Sequence, residues 1–316
     1  MMKTVIVGAG VIGRVHLKSM LELGMMPAAI CDIDTEKARA LLSELQLDLP
    51  VYGDYLAMLD ELRPDSVHIC TPHHLHADMI VLALSRNINV LCEKPLCIRH
   101  ADIPRILDAQ RASTATLGVC HQNRYNPANV FLKDYLAGKT VRAAHGTVAW
   151  HRDGSYYRSA EWRGKWATEG GGVMINQALH TLDLLQWMLG YPASVTASIC
   201  NLSLGGEIEV EDTAFAAFAG KAPFTFAATN AAGASLPVQI TLRTTEEEIV
   251  LLPHSVMIDG KVVFHEQKQI VLGKTCYGNG HLALIADFYD AIEKGRPFAI
   301  DGEAAANVIR IILSMY

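Results

Sequence analysis

A short apolar strand, a glycine-rich turn and a helical pattern open the chain. Residues 4–7 (TVIV) are rich in β-branched side chains, as is typical of a buried strand. They lead into residues 8–13 (GAGVIG), after which apolar side chains recur at helical spacing up to Gly24. The first glycine permits the turn, the second lets the backbone approach an anion, and the third allows close helix–strand packing. The pattern predicts a βαβ unit that binds a pyrophosphate at the helix N-terminus.

An acidic residue at the end of the next strand supports this prediction. Residues 28–31 form a second strand pattern, and Asp32 follows it, 19 residues after Gly13. At this separation a carboxylate binds the hydroxyls of an adenosine ribose. Asp32 and Asp34 would repel a 2′-phosphate, which favours NAD, although Lys37 and Arg39 on the next helix leave NADP open. The predicted cofactor contacts here are Gly8, Gly10, Val11, Ile12, Gly13 and Asp32.

Strand and helix patterns alternate as far as the strand at residues 115–120. This alternation predicts a doubly wound parallel sheet with right-handed crossovers. Beyond it, short strand patterns follow one another from residue 195 to 264, and helices close the chain. We therefore predict an α/β protein with a Rossmann domain at residues 1–121 and a second α/β domain at residues 122–316, which carries a large, mostly antiparallel open sheet.

Composition narrows the class of protein. The 316 residues exceed one ordinary core, and 50% are hydrophobic. A net charge of −6 provides no basic surface for nucleic acid or membrane. No apolar run reaches about 18 residues, the length needed to span a bilayer. The seven cysteines are scattered, which suits a reducing compartment and predicts a cytoplasmic protein.

Polar side chains follow the predicted strands at the edge where ligands collect in such sheets. The segments are Thr71-Pro72-His73-His74, Glu93-Lys94-Pro95 and residues 121–125. His73, His74 and His76 have no nearby cysteine pair and straddle a strand end and a helix start, so we expect no metal. The Lys94–Pro95 bond is a candidate for the cis form.

Residues 170–190 (GGGVMINQALHTLDLLQWMLG) read as one largely apolar helix that belongs in an interior. Asn176, His180 and Asp183 interrupt it at spacings of four and three, which places them on one face. Buried polar side chains need partners. These residues therefore either bond to each other and their neighbours or face a polar cavity.

These motifs, taken in order, resemble the Gfo/Idh/MocA family, named after glucose–fructose oxidoreductase and inositol dehydrogenase. The resemblance covers essentially the whole chain and comprises GAGVIG, Asp32, TPHHLHA at residues 71–77, the EKP triplet at 93–95 and the GGG…H..D helix. It implies a Rossmann domain followed by an α/β domain whose sheet often forms the oligomer interface. It also implies NAD(P)-dependent oxidation of a secondary alcohol on a sugar, cyclitol or sugar nucleotide.

The resemblance also implies roles for individual residues. Lys94 matches a catalytic or substrate-orienting lysine, and His180 matches a histidine on the helix. Glu93, Thr71, Pro72 and His73 fall on segments that contact the cofactor, although His73 departs from the usual TPN. Asn176 stands where inositol dehydrogenase-like members commonly have aspartate.

Alcohol oxidation requires a base within about 3 Å of the hydroxyl. Lys94 would need its pKa lowered from about 10.4 to between 7 and 8, whereas a histidine starts near 6.5. This comparison leans towards His180 as the base and leaves Lys94 open. Asn176 cannot titrate, so we expect a neutral His180 that Asn176 orients by a hydrogen bond.

An insert rich in arginine and aromatic residues precedes the helix, at residues 151–166. Aromatic faces pack on sugar C–H groups, and guanidinium forks bind carboxylate or phosphate. The alternative is a surface loop that docks on its own domain. The predicted substrate-binding residues are Lys94, Arg124, Tyr157, Trp162, Arg163, Asn176 and His180.

The leading hypothesis is an NAD-dependent dehydrogenase of a sugar, cyclitol or sugar nucleotide. Two alternatives stay open: an enzyme that retains NAD and cleaves glycosides by transient oxidation, and a non-catalytic dinucleotide sensor. Long strands with an uncovered face predict a homodimer or homotetramer.

Overall fold

The computed structural model describes residues 2–267, 272 and 280–316. Cys276, one of the seven cysteines, lies outside these residues. Internal contacts divide the described chain into two units. The first comprises residues 2–122 and 280–306, and the second comprises residues 123–267 and 307–316. The C-terminal segment 280–306 thus groups with the first unit, whereas the sequence assigned everything after residue 121 to the second domain. That functional boundary stays a prediction.

A six-stranded parallel sheet forms the centre of the first unit, in the order β3-β2-β1-β4-β5-β6. Its strands are β1 (Thr4–Val7), β2 (Ala29–Cys31), β3 (Val51–Tyr52), β4 (Ser66–Ile69), β5 (Asn89–Cys92) and β6 (Leu117–Val119). β1 pairs with both β2 and β4, so Val5 lies between Ala29 and Val67. Because all pairs are parallel, the residues that follow these strands share one edge, here called the carboxyl edge.

Helices connect the strands of this sheet. They are α1 (Val11–Glu22), α2 (Thr35–Glu44), α3 (Tyr55–Leu62), α4 (His76–Leu84) and α5 (Asp102–Ala112). The side chains of β1 and β4 are buried throughout, as expected for strands covered on both faces.

The second unit contains an eight-stranded sheet in the order β14-β13-β12-β11-β7-β10-β9-β8. Its strands are β7 (Val141–Ala149), β8 (Ser194–Cys200), β9 (Thr213–Ala219), β10 (Phe224–Thr229), β11 (Gln239–Thr244), β12 (Glu248–Leu252), β13 (Ser255–Ile258) and β14 (Lys261–His265). Only the pair β7–β10 is parallel among these described strands. The fold class predicted from the sequence is confirmed for both sheets.

Three α-helices of the second unit lie between residues 127 and 189 of the chain. They are α6 (Pro127–Tyr135), α7 (Gly154–Arg158) and α8 (Leu179–Leu189). α8 packs closely on β7, because a Cβ on Gly146 would lie 2.7 Å from Leu185 and 2.8 Å from Phe226. The chain ends with α9 (Gly280–Glu293) and α10 (Gly302–Leu313). No helix among the described residues is long and apolar enough to cross a membrane.

The largely apolar helix predicted at residues 170–190 begins later and less regularly than expected. A π-helical turn, Met174–Ala178, runs directly into α8, which ends at Gly190 with φ 93°. The glycines precede the helix, and the Glu211 carboxylate accepts hydrogen bonds from the N–H of Gly172 (2.8 Å) and of Met174 (3.0 Å). A Cβ on Gly172 would lie 1.8 Å from the Glu211 carbonyl oxygen, so glycine is required for this close approach.

Candidate active site

The glycine turn after β1 has the shape of a pyrophosphate cradle. Gly8 has φ 104°, and a Cβ there would lie 2.5 Å from the Cys70 carbonyl oxygen. A Cβ on Gly13 would lie 1.9 Å from the Gly8 oxygen, whereas one on Gly10 would meet only the Lys37 ammonium, at 3.9 Å. No side chain caps the first turn of α1. These free N–H groups and the open side of Gly10 fit a dinucleotide phosphate.

Asp32 stands at the end of β2, as predicted, and its carboxylate is fixed by backbone donors. Oδ2 accepts from the N–H of Ala9 at 2.6 Å, and Oδ1 accepts from the N–H of Asp34 at 2.9 Å. The Lys37 ammonium lies 3.9 Å from Oδ2. Next to Asp32, the side chain of Ile33 is 94% exposed. This arrangement offers an apolar side chain beside the carboxylate that is predicted to bind the ribose.

Lys94 is set apart from its neighbours by its exposure. Of residues 90–98, only Lys94 is not buried. The Lys94–Pro95 peptide is cis, which confirms the expectation. The imidazole of His76 lies between two carbonyl oxygens, that of Pro95 at 2.7 Å and that of Thr71 at 2.9 Å. His76 therefore ties the segment after β4 to the segment after β5 on the carboxyl edge.

Glu93 is directed into the first unit rather than outwards. Its side chain is buried, and Oε1 lies 3.0 Å from His16 Nε2 and 3.2 Å from His281 Nε2. Burial raises the pKa of Glu93, but the N–H groups of the two histidines outweigh burial and hold that pKa well below its usual range. The contact with the nicotinamide side that the resemblance implied for Glu93 stays a prediction.

A chain of hydrogen bonds extends from Glu93 through the interior. His16 Nδ1 lies 2.9 Å from His68 Nδ1, and His68 Nε2 lies 2.8 Å from the Tyr289 hydroxyl, which is 2.9 Å from Thr4 Oγ1. The carboxylate can only accept, so a neutral His16 donates from Nε2 and accepts at Nδ1. His68 then donates from Nδ1 and accepts from Tyr289. Burial lowers the pKa of His16 and of His68, which keeps both rings neutral.

The donor atoms of His16, Glu93 and Cys120 lie within 4.8 Å of one another. The hydrogen bonds of His16 to Glu93 and His68 already account for this proximity. Of the three histidines that follow β4, His73 is buried and its ring centroid lies 6.1 Å from that of His76. Both ring nitrogens of His76 face carbonyl oxygens. The expectation of no metal stays a prediction.

The helix of the second unit presents two polar side chains. Of residues 171–186, all of which the structure describes, only Asn176 and His180 are not buried. The Asn176 amide nitrogen donates to Glu169 Oε1 at 2.5 Å and to the Tyr156 hydroxyl at 3.3 Å. This exposure favours the polar-cavity interpretation of that face. The expected hydrogen bond from Asn176 to His180 stays a prediction.

Asp183, the third polar residue of that face, has a structural partner. Its carboxylate makes a buried bidentate pair with Arg124, at 2.8 Å to Nε and 2.6 Å to Nη2. Tyr157 lies in an apolar cluster and its hydroxyl accepts from Asn230 at 2.9 Å. These contacts occupy the ends of Arg124 and Tyr157, and their predicted roles in substrate binding stay predictions. Trp162 stacks on the Arg163 guanidinium at 4.6 Å.

Sequence reasoning missed several residues of this region. Tyr156, Glu169 and Gln177 surround Asn176 and have no motif of their own. In the first unit, His16 and His281 hold Glu93 from 77 and 188 residues away in the chain. Among these, His16 had a visible signal, because it is a polar residue on the buried face of α1.

The sheet order, the glycine turn and the strand-end acid define a dinucleotide-binding Rossmann protein with a second, sheet-containing domain. Residues 2–121 match the NAD-binding Rossmann fold of the oxidoreductase family GFO_IDH_MocA, and residues 138–250 match the GFO/IDH/MocA C-terminal domain. The chain belongs to the GFO/IDH/MocA family, and NAD is the dinucleotide of its Rossmann domain.

Individual relatives share part of the chain. The inositol 2-dehydrogenase of Salmonella typhimurium (strain LT2) is 28% identical over 194 residues, 60% of this chain and 54% of the relative. The D-glucoside 3-dehydrogenase of Escherichia coli (strain K12) is 28% identical over 208 residues, 61% and 55% of the two chains. This chain thus spans about half the length of the curated relatives it matches.

Solved structures extend the likeness to the whole chain. The WlbA dehydrogenase from Bordetella pertussis, in complex with NADH and UDP-GlcNAcA, has a TM-score of 0.88 at 24% identity. The match covers 100% of this chain and 94% of that one. At this identity the likeness shows the fold.

Proposed function

We propose that this chain is an NAD-dependent dehydrogenase of a secondary alcohol on a sugar, cyclitol or sugar nucleotide. The observation that carries the proposal is Lys94, which follows β5 on the carboxyl edge and is the one residue of 90–98 that is not buried. The glycine turn and Asp32 lie on the same edge. The names of the relatives, inositol 2-dehydrogenase and D-glucoside 3-dehydrogenase, support this class of substrate.

We assign the parts of the reaction to the cofactor and to three side chains. Bound NAD⁺ supplies the hydride acceptor. We assign His180 as the base that takes the hydroxyl proton, because an imidazole titrates near neutral pH without further help. Lys94 is assigned to bind the alcohol oxygen through its ammonium. Asn176 is assigned to position His180.

A coupled assay tests this function. NADH formation is followed at 340 nm with myo-inositol, D-glucosides and sugar nucleotides as substrates. With the best substrate, Lys94→Met should lower kcat/KM at least 100-fold and leave the affinity for NADH unchanged. The control is Lys294→Met, because Lys294 is 65% exposed in a surface pair with Asp290. Glycoside cleavage without net NADH formation would contradict a dehydrogenase and support the NAD-retaining alternative.

We also propose a cytoplasmic homodimer or homotetramer that binds neither nucleic acid nor membrane. The outward face of the second sheet supports the assembly, because Phe215 in β9 is 55% exposed and Val262 in β14 is 60% exposed. The six described cysteines are free thiols, which supports a reducing compartment. Sedimentation of a monomer at micromolar concentration would contradict the assembly.

A further inference from the structure

Two arginines and three aromatic rings of the second unit form an alternating stack, here called the cation ladder. Its members are Trp150, Arg152, Tyr156, Arg163 and Trp162. The Arg152 guanidinium carbon lies 5.0 Å from the ring centroids of both Trp150 and Tyr156. That of Arg163 lies 4.4 Å from Tyr156 and 4.6 Å from Trp162. A guanidinium that packs over an aromatic ring can still donate hydrogen bonds from N–H groups in its own plane.

The two arginines of the ladder are not in ion pairs within the described protein, although the Glu169 carboxylate lies nearby, bonded to Asn176. Neither Arg152 nor Arg163 has a carboxylate of residues 2–267, 272 or 280–316 within salt-bridge distance. In the same insert, Arg158 does have one, because its Nη1 lies 2.7 Å from Glu207 Oε2. One arginine of this insert, Arg158, therefore has a carboxylate partner, whereas Arg152 and Arg163 do not.

Donor groups of both guanidiniums are also unused. Nε of Arg152 and Nε of Arg163 are buried, and neither donates to an atom of the described residues. Arg152 Nη1 donates to the His151 carbonyl oxygen at 2.7 Å, and Arg163 Nη1 donates to the Tyr156 hydroxyl. Buried donors without acceptors are costly, and an oxyanion satisfies a guanidinium through two parallel hydrogen bonds.

The ladder is joined to the helix that carries His180. The Tyr156 hydroxyl is the acceptor for Gln177 Nε2 at 3.0 Å and for Asn176 Nδ2 at 3.3 Å. Both residues belong to the π-helical turn immediately before α8. The ladder is therefore held in place relative to Asn176 and to α8 within the second unit.

We propose that the cation ladder is a subsite for an oxyanion on the substrate, a carboxylate or a phosphate. The sugar or cyclitol that this chain oxidises then bears a negative charge apart from its reacting hydroxyl. This inference rests on the proposed function, whose substrate class it narrows.

Matched ligand pairs, in which the acidic member carries one additional oxyanion, test the subsite by calorimetry on the NADH-loaded protein. The pairs are D-glucuronate with D-glucose, D-glucose 6-phosphate with D-glucose, and UDP-glucuronate with UDP-glucose. In at least one pair the acidic member should bind at least tenfold more tightly, and the pair shows whether a carboxylate or a phosphate is recognised. Arg152→Gln and Arg163→Gln should each remove most of this preference, and Arg158→Gln should keep it. Equal binding within threefold in every pair would overturn the proposal.

Two further measurements separate the possible failures. Arg163→Lys keeps the positive charge and loses the two parallel donors of the guanidinium, so it should retain part of the acidic preference. This variant tests the proposal if Arg163→Gln does not fold. NADH affinity should be unchanged in all ladder variants, and its loss would overturn the proposal by assigning the guanidiniums to the cofactor. If the acidic preference holds while no alcohol yields NADH, only the proposed function fails. If neutral alcohols are oxidised and no acidic preference exists, only the subsite fails.

Discussion

Asp32 is the carboxylate that we predict to favour NAD over NADP. Its two oxygens are held by the N–H groups of Ala9 and Asp34, so the charge cannot rotate away from the end of β2. A fixed negative charge there opposes the 2′-phosphate of NADP. The ammonium of Lys37, 3.9 Å away, offsets part of that repulsion.

Asp32→Asn should therefore improve NADP binding at least fivefold. The amide keeps an oxygen to accept from Ala9 and removes the charge. NAD affinity should fall, because a ribose hydroxyl loses a charged acceptor. Fluorescence titration of the reduced cofactors measures both constants. In the Asp32→Asn background, Lys37→Gln should cancel most of the gain in NADP affinity. NADP binding that does not change in Asp32→Asn would show that Asp32 does not face the 2′ position.

The contact of Asn176 with the Glu169 carboxylate gives the amide a structural role. The amide nitrogen donates to Glu169 Oε1 at 2.5 Å, and Glu169 Oε2 accepts from the N–H of Gly164 at 2.5 Å. Glu169 is 1% exposed. An aspartate at position 176 would place two carboxylates in contact.

Asn176→Asp should thus lower the free energy of unfolding by about 2 kcal/mol at pH 8, because like charges at this distance cannot both ionise cheaply. The loss should shrink as the pH falls to 6, since the pair then shares a proton. Urea unfolding at the two pH values measures this. The double variant with Glu169→Gln should recover most of the stability, because the new amide can donate to the new carboxylate. A loss that is the same at both pH values, or that the double variant does not relieve, would argue against this pairing.

The helical segment that carries His180 is held at its start and in its middle by charged side chains from elsewhere in the second unit. Glu211 accepts from the first N–H groups of the helix, and burial raises the pKa of Glu211 although those N–H groups act in the opposite direction. One turn beyond His180, Asp183 forms its buried pair with Arg124, which lies in the 3₁₀-helix Gln122–Tyr125. The helix is therefore placed by ionic contacts as well as by apolar packing.

Breaking the Arg124–Asp183 pair on one side should be costly. Asp183→Asn leaves a buried guanidinium without its counter-charge, and the free energy of unfolding should fall by about 3 kcal/mol. Replacing both residues, Arg124→Met with Asp183→Leu, should recover most of this loss. Denaturant unfolding of the two variants and the parent measures the loss and its recovery. A single variant as stable as the parent would mean that the pair contributes nothing to placing α8.

Several histidines among the described residues of the first unit are fully buried. Burial lowers the pKa of His16, His68 and His76. In the unfolded chain these side chains titrate near 6.5. Below that pH the unfolded chain binds protons that the folded unit does not, so stability falls as the pH decreases.

The first unit should lose stability between pH 7.5 and pH 5.5, by an amount on the order of 3 kcal/mol for three such histidines. Hydrogen exchange followed by mass spectrometry, corrected for intrinsic rates, resolves the two units. Amides of β1, β4 and β5 should lose protection, and those of β7 and β10 should change less. Equal protection of β1 at both pH values would contradict the neutral state of these buried rings.

Local pattern was sufficient for the fold and for part of the site. The strand–glycine–helix order, the position of Asp32 after β2 and the cis Lys94–Pro95 bond follow from short stretches of sequence. Helical spacing grouped Asn176 with His180, the two residues of 171–186 that are not buried. Local pattern could not show that the Asp183 carboxylate pairs with Arg124, which lies 59 residues away in the chain. Nor could helical spacing show that Tyr156, and not Tyr157, contacts Asn176, because adjacent side chains of a short helix point to different surroundings. The polar chain behind Glu93 joins residues that only tertiary packing brings together.

The cation ladder also gives the second unit an optical property. Trp150 and Trp162, two of the four tryptophans in the chain, each lie about 5 Å from a guanidinium. The other two, Trp166 and Trp187, are also in the second unit. Indole emission responds to the electric field at the ring, so neutralising the guanidiniums with an anion should shift the emission spectrum. The protein thus carries an intrinsic fluorescent reporter for this surface, and the first unit contributes no indole to its signal.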